Sequence, residues 1–132
     1  MANDRDNDGR EAGRGSRMAD LRERETVERE RHRLQVDEFL GDARQDVARM
    51  RGMLPDLEAD DAAAWTRLQN LAHNLNARSQ ILRLGILNAC ARELQQLVEQ
   101  RQSGASADGF FMQCVNSAIE TLALEIEALK RA

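Results

Sequence analysis

From Val36 onward, apolar residues recur every three or four positions in four successive stripes, and that spacing leaves little choice of fold. Val36, Leu40, Ala43, Val47, Met50 and Leu54 form the first stripe, with Phe39 widening its face. Trp65, Leu68, Ala72, Leu75, Ser79 and Leu82 form the second, supported by Leu71. Leu87, Cys90, Ala91, Leu94, Leu97 and Val98 make the third. Phe111, Val115, Ala118, Leu122, Ile126 and Leu129 make the fourth, with Cys114 and Ile119 alongside. Steps of three and four keep side chains on one face of an α-helix, whereas a strand would need alternation. Four amphipathic helices with short connections bury their stripes most simply as an all-α, antiparallel up-and-down four-helix bundle, expected over residues 36–131.

The connections are read from breaker residues. Pro55 is expected to end the first helix, because a proline cannot donate to the helical ladder. The stretch DLEADD that follows reads as a polar loop, with Asp60 or Asp61 placed to cap the next helix. A break near Arg83–Gly85 separates the second and third helices, and QSGASADG, from Gln102 to Gly109, is a loop before the last.

Ahead of the stripes the character changes. Residues 1–19 mix Gly, Asn, Asp, Arg and Ser without periodicity and are expected to be a disordered tail. Residues 20–35 are almost wholly charged, and Glu25–Arg29 and Glu28–His32 stand four apart, as on a solvated helix. This charged N-terminal helical extension would lengthen the first helix or lie across one end. A monomer is expected, with a structural helical protein that dimerises through Asp20–Arg33 as a further reading. His32 belongs to this solvated stretch.

Composition narrows the function classes. Aromatic residues make up 3% of the chain, there is no Tyr, and the formal net charge is −4, so no basic surface for nucleic acid is expected. No apolar run approaches the ~20 residues of a membrane span, and the opening MANDRDNDGR lacks the apolar core of a signal peptide. A cytoplasmic protein is expected, with Cys90 and Cys114 as buried free thiols. His32 and His73 are far apart and no cysteine cluster exists, so no metal site and no cofactor of its own is expected. Phosphate-binding loops and nucleophile-elbow motifs are absent.

That leaves His73, in LAHNLNA. With Ala72 and Leu75 facing the core, His73 is turned about 100° from Ala72, onto the flank of the stripe. Its neighbours there are Gln69 and Asn70 before it, and Asn76, Ala77 and Gln80 after it. Periodicity alone makes it a surface histidine among amides.

The stretch LAHNLNARSQILRLGILNACARELQQL nevertheless resembles the phosphoacceptor region of the histidine-containing phosphotransfer (HPt) domains of bacterial multistep two-component phosphorelays. Ala72-His73, Leu75, Leu84, Leu87, Ala91 and Leu94 fall where that family has its Ala-His and its following apolar positions. FLGDARQDVARMRGML resembles the family's opening helix, and ADDAAAWTRLQNLAH its approach to the histidine. Asn76 stands where the family usually has Lys, and Ala77 where it has Gly.

The resemblance implies a four-helix bundle that carries phosphate rather than a stand-alone enzyme. It implies that His73 accepts a phosphoryl group from a receiver-domain aspartate, or from a kinase, and passes it to another receiver. Response-regulator receiver domains, bringing their own Mg²⁺, and a hybrid sensor histidine kinase would be the partners. Gln95 would orient the imidazole, while Asn76, Gln80 and Gln69 would form an amide rim in place of the Lys. Phe39, Met50 and Leu71 are candidate apolar docking residues. The other reading is a degenerate HPt-like adaptor that binds receivers or kinases without carrying phosphate.

Overall fold

The computed structural model describes the backbone from Ala2 and side chains from Gly15 to Ala132. Over these residues the chain is all-helical, with α1 (Ala2–Glu58), α2 (Ala62–Ile81), α3 (Gly85–Gln102) and α4 (Gly109–Arg131). Contacts divide it into two units, Met1–Gln35 and Val36–Ala132. No helix among the described residues is long and apolar enough to cross a membrane.

In the first unit, side chains from Gly15 to Gln35 are exposed. Arg29–Glu25 at 3.9 Å and Arg33–Glu30 at 3.1 Å are intrahelical pairs on the solvated surface, where each adds little. The helix starts at Ala2, in place of the disordered tail expected over residues 1–19. Once a turn exists each further residue gains a backbone bond, and Arg, Glu and Ala are good helix formers, so absent periodicity does not by itself stop a helix.

The second unit is organised by one buried cluster drawn from all four helices. It includes Phe39, Leu40, Val47 and Met50 of α1, Leu68 and Leu75 of α2, Leu87 and Leu94 of α3, and Ile119, Leu122 and Ile126 of α4. Burying each such side chain contributes about 1.5–3 kcal/mol. Phe39 and Met50 are both 0% exposed, which removes them as docking residues: their side chains are already spent on the core. Cys90 and Cys114 are free, as expected, but only half-buried. Each lies beside its stripe's centre rather than on it.

One boundary in the second unit differs from the sequence reading. α1 continues past Pro55 to Glu58, and Leu57, inside the expected polar loop, is fully buried. Pro55 lies in the last turn on the exposed side, where water can satisfy the carbonyl that its missing N–H would have met. Its own carbonyl still accepts from the Ala59 N–H at 3.0 Å.

What stops α1 is a left-handed residue, Asp60 at φ 61°, with Asp61 N–H donating to the Asp56 carbonyl and Asp60 N–H to Leu57. The same closing pattern ends α2 at Arg83 (φ 60°), with Leu84 N–H bonded to Ser79, and ends α3 at Gly104 (φ 110°), with Ala105 N–H bonded to Gln100. Each pairs the orphan carbonyls of a helix terminus and reverses the chain. Asp61 then caps α2 by accepting from Ala63 N–H at 3.0 Å, and Asp108 caps α4 by accepting from Phe111 N–H at 2.8 Å.

Charged contacts report how the helices run. Arg44–Glu127 and Arg51–Glu120, at 2.6 and 2.8 Å, advance in opposite directions along α1 and α4, so these two helices are antiparallel. Arg78 of α2 pairs with Asp42 at 3.1 Å and lies 4.9 Å over the Phe39 ring, joining α2 to α1. At the other end Arg101 pairs with Asp60 and lies 5.9 Å from the Trp65 ring centre, fastening the α1–α2 turn to the end of α3.

Hydrogen bonding and then charge from Arg44, Arg51 and Arg101 hold the Glu127, Glu120 and Asp60 carboxyls below their ordinary range. Carboxylates depressed on folding stabilise the fold above their unfolded pKa, and that contribution is lost as pH falls through the folded value. Burial pushes Asp46 the other way, so it offsets part of this effect. The Tm should therefore fall as pH drops below the unfolded glutamate value of 4.5, with a shallower fall in an Arg44→Ala, Arg51→Ala double variant. Thermal melts across the acid range measure both. Separately, Gly52 sits inside α1 where an added Cβ meets nothing within 4 Å. Gly52→Ala should then raise unfolding stability by about 0.5–1 kcal/mol in a denaturant titration.

Candidate functional site

α2 carries Ala64, Trp65, Leu68, Ala72, Leu75 and Ser79 into the core, and that face fixes where every other α2 side chain lies. His73 comes out exposed. Half-buried Gln69 and Asn76 lie within about 60° of it on the α3 side. Exposed Asn70 lies about as far round on the other side, towards α1. Ala77 is half-buried and Gln80 exposed.

Two amide cross-links tie α2 to α3 on either side of His73. One turn before it, Gln102 Nε2 donates to Gln69 Oε1 at 2.8 Å. One turn after it, Asn76 Nδ2 donates to Gln95 Oε1 at 2.9 Å. These bonds advance in opposite directions along the two helices, so α2 and α3 are antiparallel. Asn88 adds a second hold on Asn76, with its Nδ2 donating to the Asn76 carbonyl at 2.9 Å and to Asn76 Oδ1 at 2.6 Å. The buried Ser79 hydroxyl donates to the same carbonyl at 3.0 Å.

This geometry revises two expected roles. Gln95 meets Asn76 rather than the imidazole, because the α2–α3 register sets it opposite the residue one turn beyond His73. The amide rim is also not assembled: Asn76 is occupied by Gln95 and Asn88, and Gln69 by Gln102, which leaves Gln80 as the member exposed to solvent. Arg78, the nearest arginine after His73, is engaged with Asp42 and Phe39. No hydrogen bond or ion pair involves His73 among the described residues.

The site therefore offers one solvent-facing imidazole on a helix locked by side-chain bonds on one flank. A neutral imidazole has a ring nitrogen free to act as a nucleophile. Mid-helix backbone N–H groups are already bonded within the helix and cannot hold an anion. Among the described residues no group of three or more His, Cys, Asp or Glu gathers as metal ligands. His32 is exposed in the first unit.

Of the residues on the α1 side of His73, the sequence reading named Leu71 as a docking candidate and Asn70 as a neighbour of the imidazole. The structure places half-buried Leu71 in a groove with Arg49, Gly52, Met53, Arg67 and Asn70. The signal that could have pointed there is Gly52, a helix-weakening residue in a stretch otherwise rich in helix formers.

Asn76 acts here as a cross-link, so Asn76→Ala should cost about 1–3 kcal/mol by leaving half-buried Gln95 Oε1 without its donor and removing the Oδ1 acceptor of Asn88, which keeps the residue-76 carbonyl. Asn76→Lys should be destabilised as well, its longer chain breaking the same bonds. Denaturant unfolding of both variants tests this; wild-type stability in either would remove the cross-link role.

Comparison of the chain with protein-family models, with curated proteins and with solved structures returned no match in any of the three.

Proposed function

We propose that the chain is a histidine phosphotransfer protein, its residues 36–131 an up-and-down four-helix bundle of the HPt kind, with His73 as phosphoacceptor. The observation that carries this reading is the placement of His73: exposed at mid-helix, flanked by packed elements and without a partner of its own among the described residues. A structural histidine would be held by the core or by an ion pair.

In the proposed reaction an unprotonated imidazole nitrogen attacks the phosphorus of a receiver's aspartyl phosphate in line. The N–P bond forms as the aspartyl O–P bond breaks, and the carboxylate leaves with the electron pair. Reversal onto a second receiver restores free His73. Phosphoryl transfer of this sort depends mainly on positioning and charge neutralisation. The bundle supplies positioning through the α2–α3 cross-links. The receiver supplies the aspartate, a lysine and Mg²⁺, because Asn76 is a neutral amide turned to α3 and brings no cation. A cytoplasmic, bacterial phosphorelay with a receiver or hybrid kinase as partner is the setting this chemistry calls for.

One feature favours the adaptor reading instead. The absence of a charged side chain from His73's own helix turn would suit a module that occupies a receiver without accepting phosphate.

Incubation with phosphorylated receivers separates the two. The proposed carrier gains an acid-labile, base-stable label that is lost in His73→Gln, and passes it to a second receiver. Binding to a phosphorylated receiver with no label on His73 would replace the carrier by the adaptor.

A further inference from the structure

Between α1 and α2 lies a groove of about 530 Å³, lined by Arg49, Gly52, Met53, Arg67, Asn70 and Leu71. Three features of it point to an occupant. Its interior is apolar, with Met53 and Leu71 half-buried against the core, and methionine adapts readily to a partner's surface.

Its rim is cationic. Arg49 is exposed and held only by a 3.4 Å contact with Asp46, and exposed Arg67 forms no ion pair among the described residues. The nine Arg of residues 1–33 balance nine Asp and Glu there, so the chain's net charge of −4 falls on the unit that carries this groove. Two cations beside an apolar groove favour a partner whose acidic flanks reach them, a local attraction set against the unit's net negative charge.

The third feature is Gly52. A Cβ there would meet nothing within 4 Å, so packing does not require glycine, and a glycine inside a helix is less favourable than alanine. Gly41, elsewhere in α1, has the same free space but does not line the groove. In the groove the missing side chain leaves the α1 backbone open to close approach.

We propose that this groove docks an amphipathic helix of a partner protein. The partner's apolar ridge lies over Gly52, Met53 and Leu71, and its flanking carboxylates pair with Arg49 and Arg67. A groove between two packed helices takes a third helix through apolar anchors at i, i+3, i+4 and i+7. Asn70, at one edge, is a single turn from His73, so a protein seated here brings its own groups over the imidazole. That last step rests on the phosphotransfer reading; the docking itself does not.

The test uses the full chain, isotope-labelled for NMR, and a synthetic amphipathic helix with a leucine ridge flanked by glutamates. A twin with lysine flanks is the control. Shifts should gather at Arg49, Gly52, Met53, Arg67, Asn70 and Leu71, and the glutamate helix should bind about tenfold more tightly, an increment in line with two ion pairs at a partly desolvated rim. An Arg49→Glu, Arg67→Glu variant, folded by circular dichroism, should reverse the preference. Gly52→Trp should block both helices by filling the groove.

Equal affinity for the two helices, or shifts centred elsewhere, overturns the docking site. Phosphotransfer by the same variants keeps the two proposals apart. Wild-type labelling of His73 in the charge-reversed variant overturns the approach to the imidazole through this groove and leaves the carrier. Helix binding in the groove, with no labelling by any receiver, overturns the carrier and leaves docking.

Discussion

The rotation of α2 about its own axis is fixed by what it buries. Trp65 is 3% exposed, Leu75 1%, and Leu68, Ala72 and Ser79 0%. Turning the helix by one residue, about 100°, would carry His73 towards the core and lift Ala72 out of it. An imidazole brought there would need a hydrogen-bond partner, and the surrounding Leu, Ile and Val side chains offer none. The apolar core therefore determines that His73 faces water, even though no core residue needs to touch it.

Apolar burial leaves the sliding of α2 along α3 less well defined, since Leu, Ala and Val faces tolerate shifts in packing. The polar links supply that missing specification. Gln69–Gln102 and Asn76–Gln95 fix one register, and Asn88 with Ser79 closes a small network around the Asn76 carbonyl. A slip would leave several half-buried polar groups unpaired at once, which costs more than the bonds gain. The same network limits chemistry, because an amide spent on α3 cannot hold a ligand. A negative group on His73 would meet neutral surroundings on its own helix, so the neutralising charge falls to whatever binds.

Much of this was legible in the sequence. The stripes had the 3.6-residue period, and their central members are buried in the structure. Local reading failed where the outcome depended on a second element. Gly104 announces a left-handed helix end because glycine adopts positive φ freely. Asp60 and Arg83 do the same work without advertising it, since their conformation is imposed by the turns around them, and so the sequence points to Pro55 as the stop and to Leu57 as part of a loop. The α3 pattern puts Gln95 on the side facing α2, but whether it meets residue 73 or residue 76 depends on inter-helix register. The groove was illegible for the same reason: its residues lie off both stripes and form a surface only once α1 and α2 adjoin.

The two flanks of His73 differ in a way that bears on how any partner can approach. On the α3 side the amide links fill the space between helices and hold α2 rigidly, so a ligand there would have to break bonds already made. On the α1 side the chain leaves a glycine where alanine fits, two half-buried apolar side chains and two arginines with exposed guanidinium groups. A body that settles on the open flank gains apolar contact and ion pairs at little cost in existing bonds, while the locked flank keeps the imidazole from yielding beneath it. Rigidity on one side and vacancy on the other are complementary: the first holds the helix that carries His73, and the second leaves one flank open to approach.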